Sequence, residues 1–518
     1  MDIALAERSI ATSRAGRSPD TYDQRVTRRV LILTCAVVVA VRAVFVAHPI
    51  RSDEGGYLMA ARHWAPGEGE FLYGDFHVDR PPALMAFFRL AAMWETDAAI
   101  RVITIPVVVG IVLTTALAAG VLAGPVAARW AAVVTAALMC SPALAADQAD
   151  GEMFALIFVT GSIVAVLKGR QALGRGAVHG YGMLAGALAA TAPLVKQNFL
   201  DAFVFAAVLL VVTARRDQGR RAQVVVLAGG FGAGALIPLA VMAAWVLLEG
   251  VEPQLVWSDL VTFRAQAADV LASSHRSAPL QRAQALVLVA VVSSAVPIIV
   301  VWSAWLLRRP RPLRAEHWAL LALVGWSTIG IAAGGSYWLH YLQAAVPGVA
   351  LAAGLVIADR HTWRSPMRVL ALWAVGVSLV GVIATALVYQ TTARAWYPQL
   401  IGWWVAASAE EGDTIVVAYG NPQVVEAADL ATPYPYLWSL QMRTLDPEQR
   451  QLERLLAGPS PPTWFVVLNG VNSWDIDDDS RLRELLDERY EPAAEICGYE
   501  VLVHADAHRR LAATPRCR

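Results

Sequence analysis

The sequence predicts a mainly α-helical fold: a polytopic membrane protein with interfacial helices in its first external loop and a small α/β domain at its carboxyl end. Three observations carry that reading. Of 518 residues 57% are hydrophobic and 16% charged, too apolar for a soluble protein of several domains. Apolar runs of membrane length recur from residue 30 to residue 389. Arginine and acid, balanced at a formal net charge of +0, are sorted into alternate connections between those runs.

Spans are expected near 30–47, 98–122, 126–145, 153–167, 180–195, 199–214, 222–248, 285–307, 318–333, 337–358 and 369–389, about eleven in all. Arg25, Arg28 and Arg29 precede the first run. Lys168/Arg170/Arg175, Arg215/Arg216/Arg220/Arg221, Arg308/Arg309/Arg311/Arg314 and Arg360/Arg364/Arg368 occupy connections on the same side. Positive connections stay cytoplasmic, so the amino terminus is expected inside a plasma membrane. The loops around Asp53, Asp150 and 249–282, with the carboxyl tail, are expected outside. The first run reads as an uncleaved anchor: its leader is long, Arg42 lies within it, and no small-residue cleavage site follows. Arg42 can snorkel to the headgroups or hold an anionic one. The boundaries expected are 1–29 for a cytoplasmic tail, 30–390 for the membrane domain with its first external loop at 48–97, and 391–518 for an extracytoplasmic domain.

In the last of these, strand-like 414–419, 464–468 and 499–503 alternate with helical 423–430, 448–456 and 481–489, the pattern of an α/β layer domain. No glycine-rich phosphate loop follows the first two strands, so nucleotide binding there is not expected; no nucleic-acid partner is expected either. Cys35 and Cys140 lie in apolar runs, whereas Cys497 and Cys517 lie outside, where an oxidising compartment would let them pair. No metal-type Cys/His spacing is present.

The first external loop carries the chemistry. Ser52-Asp53-Glu54-Gly55-Gly56-Tyr57 runs on through Ala61-Arg62 to Tyr73-Gly74-Asp75 and Asp79-Arg80-Pro81-Pro82. Ser52 is expected to cap a short helix with Asp53 and Glu54 in its opening turn, where the helix dipole favours anions. Pro81-Pro82 is expected to start a second short helix at 83–94 that lies at the interface. Charge at a membrane boundary is costly unless water, a partner or a substrate compensates it, so this cluster points to a site.

The chemistry that fits is transfer of a sugar from a polyprenyl-phosphate donor. That reaction needs a base for the acceptor hydroxyl, cations for the departing phosphate and a lateral route for the lipid. Asp53 is the candidate base, and one carboxylate acting as base gives inversion at the anomeric carbon. Glu54 is its neighbour in catalysis, in positioning or in hydroxyl or metal contact. Ordinary acid enrichment at a helix start is the competing account of the pair.

The pattern Asp53-Glu54, Tyr57, Ala61-Arg62, Tyr73, Asp75 and Arg80-Pro81-Pro82 resembles the first external loop of the glycosyltransferase C superfamily. The closest branch holds the dolichyl-phosphate-mannose protein mannosyltransferases and the aminoarabinose lipid A transferases. The resemblance implies a multi-span body, a catalytic acid at Asp53 and a cation before Pro-Pro, here Arg80, that touches donor phosphate. Two departures are plain. Gly55-Gly56 lacks the arginine that the aminoarabinose branch carries after its acids. The loop after the seventh span is too short for the external insert of the protein mannosyltransferases.

Later connections add candidates. Asp147-Gln148-Ala149-Asp150-Gly151-Glu152 resembles a second acidic loop of the superfamily, which holds acceptor or metal; a polar turn with helix-start acids is the alternative. Asp53, Asp150 and Glu152 would hold a divalent metal if one is used. Lys196, one of two lysines in the chain, is a compact point charge suited to phosphate or to lipid headgroups. Arg62 joins Arg80 and Lys196 as a candidate for donor phosphate. Tyr57, Tyr73, Asp75, Asp150, Glu152, His340 and Tyr341 are candidates for substrate contact, although Tyr337–Tyr341 also suits an interfacial aromatic belt. Pro433-Tyr434-Pro435-Tyr436-Leu437-Trp438 can stack on sugar or pack a small core.

The function expected is thus an inverting membrane glycosyltransferase, with an envelope glycan, lipid or protein as acceptor and membrane lipids as surroundings. A lipid-linked-glycan transporter is the alternative from another class, but it needs polar residues along a mid-membrane path, and these spans are almost purely Ala, Val and Leu. A non-catalytic assembly protein would have no need for Asp53, Arg80 and Lys196 to converge.

Overall fold

The computed structural model describes residues 19–64, 72–273, 277–359, 363–392, 394–474, 476–477 and 479–517, and the fold within them is mainly helical. Seven helices are long and apolar enough to cross a membrane, and a pair bent by 60°, Ala278–Val292 with Ala295–Leu307, makes up to eight. The longest, Ala99–Met139, has 41 residues, about 60 Å at ~1.5 Å per residue. That is twice a hydrocarbon core of about 30 Å. Its backbone leaves the helical region at Ala123 and Gly124, where φ is 80°, just before Pro125. Glycine tolerates that φ and proline cannot continue the hydrogen-bond ladder, so Ala-Gly-Pro writes the break into the sequence. Asp201–Arg216 and Ala315–Ala333 occupy the places expected near 199–214 and 318–333.

Gly151–Gln171 and Leu339–Ala358 are the most enclosed spans, and the second residue of each, Glu152 or His340, is a polar residue of the candidate site. Arg175–Val195 and Arg221–Leu248 pack backbone to backbone. A Cβ on Gly186 or Gly234 would strike the carbonyl of Phe231 or Met183, so small residues set the close approach here.

The connection between the first two spans forms two short helices, Ser52–Arg62 and Pro82–Ala91. Arg51, rather than the expected Ser52, occupies the N-cap of the first, and its N–H donates to Glu54 at 2.8 Å. The second exposes Leu90, and Met93 and Trp94 just beyond it are also exposed, as an interfacial element would. The connection at 249–282, expected as a plain loop, carries helices Pro253–Trp257 and Phe263–Ser273 joined through a π-turn at Ser258–Thr262.

The carboxyl-terminal sheet has four strands, β1 (Ile415–Ala418), β2 (Trp464–Val467), β3 (Tyr490–Ile496) and β4 (Tyr499–His504), in the order β1-β2-β4-β3. β1 and β2 are parallel, while β4 runs antiparallel to both β2 and β3. β3 was not expected, because Pro492 interrupts its apolar pattern. The sheet accommodates that proline on an edge strand, where the register shifts between Pro492 and Ala494. Side chains alternate between faces: Ile415, Trp464 and Val501 join the main core, whereas Val416, Phe465 and Leu502 pack with Leu452, Leu456, Leu482 and Leu486. Cys497 and Cys517 form a disulfide. Helix Gln423–Ala428 packs against both Ser52–Arg62 and Tyr397–Ser408, so the sheet domain is fastened onto the connection after the first span.

Candidate active site

Asp53 lies in the first turn of the Ser52–Arg62 helix with its side chain about one-third exposed. Trp438 donates its indole N–H to Asp53 Oδ1 at 3.0 Å, and Oδ2 lies 3.9 Å from Arg80 Nη2. Tyr57, one turn along the same helix, is buried with Arg80 over its ring at 5.5 Å and Trp438 against it at 4.9 Å.

Arg80 is fixed from several directions. Its Nη1 meets Asp79 Oδ1 at 2.8 Å, and its carbonyl accepts the hydroxyl of buried Tyr73. Asp79 also takes Arg264 Nη2 at 2.5 Å, and its carbonyl accepts from Gln197 at 3.0 Å. Burial would lift the Asp79 carboxyl, but Arg264 and Arg80 hold it below the usual range. Burial likewise opposes the charge on Arg80, and Asp79 reverses that. The result is two guanidinium groups braced on one carboxylate.

A second cluster lies at the ends of three spans. Lys196 pairs with Glu152 and sits 5.1 Å over the Tyr341 ring. His340 lies 3.7 Å from Glu152 and 3.9 Å from Asp150. Burial, reinforced by the Glu152 charge, pushes Asp150 well above the usual carboxylate range. Burial also lowers Lys196, with Arg80 adding to the effect and Glu152 opposing it. The two clusters therefore share one electrostatic neighbourhood: Arg80 acts on Lys196, and Asp53 on Asp150 and His340. Asp150 Oδ2 and Glu152 Oε2 are buried without a hydrogen-bond partner, leaving acceptor capacity for a ligand hydroxyl. Among the described residues no three His, Cys, Asp or Glu side chains are arranged to hold a metal ion.

Three candidates stand elsewhere. Glu54 turns into the core, where its carboxylate takes Arg101 Nε at 2.8 Å and Nη2 at 2.6 Å, and the N–H groups of Arg51 and Ala149 at 2.8 and 2.9 Å. Arg101 outweighs burial and holds it below the usual range. These four hydrogen bonds, from three residues, occupy the carboxylate. Arg62, nine residues beyond Asp53 and about 13 Å along the helix, pairs with Glu426 at 2.5 Å and Asp97 at 3.2 Å. Asp75 is exposed on the turn after Tyr73.

Conversely, Asp79, Arg264, Gln197 and Trp438 belong to the site without having been singled out for it. Asp79 adjoins Arg80 in the quoted motif, and Trp438 closes the aromatic run. Arg264 and Gln197 gave no local signal, since each reaches Asp79 across a long stretch of chain.

A polytopic helical body, short helices in the connection after the first span and a carboxylate set against cations there make up a fold shared with solved membrane proteins. Among solved structures, ArnT from Cupriavidus metallidurans bound to undecaprenyl phosphate matches at TM-score 0.64 and 16% identity, over 92% of this chain and 98% of that one. The same protein in the apo state matches at 0.59 and 16% identity, over 91% and 97%. The apo oligosaccharyltransferase of Archaeoglobus fulgidus matches at 0.53 and 13% identity, over 85% and 69%. At such identities the likeness is one of fold. No family model and no curated protein matches the chain.

Proposed function

We propose that this protein is an inverting membrane glycosyltransferase that moves a sugar from a polyprenyl-phosphate donor to an envelope glycan, lipid or protein. The observation that carries this reading is the placement of Asp53 Oδ2 3.9 Å from Arg80, two residues before an apolar groove begins at Pro82. The groove holds about 500 Å³ between Trp64, Pro82, Ala187, Leu194, Met242 and Trp245. A carboxylate, a cation and an oily trough in succession suit an acceptor hydroxyl, a phosphate and an isoprenoid tail. The neighbour of highest TM-score among those reported was solved with undecaprenyl phosphate bound, which favours the same ligand class here.

In this mechanism Asp53 takes the proton of the acceptor hydroxyl, whose oxygen attacks the anomeric carbon on the face opposite the phosphate. The carbon–oxygen bond to phosphate breaks, and the polyprenyl phosphate leaves with the bonding electrons. Arg80, Arg264 and Lys196 stabilise the charge growing on that phosphate, in surroundings dry enough to strengthen them. Asp150, Glu152, His340 and Tyr341 face the sugar or acceptor. We read Ala99–Met139 as two spans and count Asp201–Arg216, Ala315–Ala333 and the bent pair with the rest, which gives eleven. The amino terminus then lies in the cytoplasm, and the site and sheet domain outside the plasma membrane.

The test is Asp53→Asn in membranes supplied with labelled polyprenyl-phosphate sugar. Transfer is expected to vanish while the protein still accumulates. Full transfer by that variant removes Asp53 from the mechanism.

A further inference from the structure

We infer that the carboxyl-terminal domain completes the active site: Trp438 orients Asp53 by donating its indole N–H to Oδ1, which leaves Oδ2 as the oxygen that acts. The inference rests on the proposed role of Asp53 as base. Trp438 is held independently of that contact. It is the N-cap of helix Ser439–Leu445, and the stretch around it is stitched to the Arg80 segment. His77 N–H donates to the Pro435 carbonyl at 3.3 Å, and Gln441 Nε2 donates to the His77 carbonyl at 3.0 Å. Gln399 Nε2 fastens the domain at a further point, the Ile50 carbonyl, at 2.8 Å.

Gly55 and Gly56 explain how the indole gets so close. A Cβ on Gly56 would meet the Trp438 ring, and Pro422 at 2.7 Å; one on Gly55 would meet Gln423 Cα at 2.5 Å. The two residues after the acidic pair are thus small because the sheet domain seats on them. A side chain at Gly56 would push Trp438 off the carboxylate, and one at Gly55 would push back the helix that begins at Gln423.

An N–H donor aimed at one carboxylate oxygen fixes its rotamer. The charged and titratable groups facing Asp53 are Arg80 and Tyr57 from the first loop and Asp150 and His340 from the spans. Trp438 adds a polar contact without adding charge.

The test compares Trp438→Phe, Gly56→Ala and Asp53→Asn in the full-length protein with labelled polyprenyl-phosphate sugar. Trp438→Phe keeps the ring against Tyr57 and loses the N–H. It is expected to lower kcat roughly tenfold to a hundredfold, as for loss of a hydrogen bond to a charged group. Donor KM and melting temperature should stay near wild type. Gly56→Ala keeps the indole but displaces it, and should reproduce the loss. Wild-type kcat in either variant, with Asp53→Asn inactive, overturns the role of Trp438 alone. An active Asp53→Asn overturns the role of Asp53 and this inference with it.

Discussion

Arg101 closes on Glu54 through contacts of 2.8 and 2.6 Å, and solvent reaches neither side chain. Three further carbonyls, of Phe45, His48 and Pro49, accept from the same guanidinium at 2.8 to 2.9 Å. The pair therefore ties the end of the first span, the opening of the Ser52–Arg62 helix and the start of the Ala99–Met139 helix into one joint. The same joint holds the helical turn that carries Asp53.

Removing one partner of such a pair strands a buried charge. Glu54→Ala is expected to destabilise the protein by about 3–5 kcal/mol, seen as a lower melting temperature in detergent and reduced accumulation. Adding Arg101→Leu to Glu54→Ala removes the stranded charge and should restore part of that loss. Unchanged melting in Glu54→Ala would show that the joint is not structural.

How much of this was legible from sequence follows from how locally each feature is encoded. Helical spans, the break at Ala-Gly-Pro and the two short loop helices are written in consecutive residues. Asp53, Arg80 and Lys196 stood out because charge is rare at apolar boundaries. Glu54 was harder to place: adjacent residues of a helix point about 100° apart, so one faces the pocket and the other the core. The same geometry sends Arg62 to the far end of its helix, toward Glu426. Asp79 takes its meaning from Arg264, 185 residues away, and Asp53 from Trp438, 385 residues away. No periodicity encodes such pairings. β3 was hidden because a proline that an edge strand tolerates reads, in isolation, as a strand breaker.

The groove beside Pro82 makes a prediction about the donor's length. Ala187→Trp fills part of the trough without touching the charged cluster. Excluding two or three methylenes, each worth about 0.8 kcal/mol, should raise donor KM roughly tenfold to fiftyfold for a long-chain polyprenyl-phosphate sugar, with kcat preserved. A donor with only two isoprene units should show little change. Equal effects on long and short donors would mean that the tail lies elsewhere.

The seam between the sheet domain and the first loop carries its own pH dependence. Glu426 is buried beside Arg62 and near Asp97; burial pushes its carboxyl up to about 8 although Arg62 pulls it down, with Asp97 adding to the rise. A raised folded value means that the native state holds a proton the unfolded chain has already released. The stability contributed is therefore full below the ordinary glutamate range and is lost as pH rises through about 8. Glu426→Gln fixes the neutral form in nearly the same shape. Between about pH 4.5 and 8 the wild-type melting temperature should fall relative to that of the variant, so that the two curves diverge as pH rises. Melting curves that stay parallel from acid to mildly basic pH would show that Glu426 is ionised throughout and that the seam is a plain ion pair with Arg62.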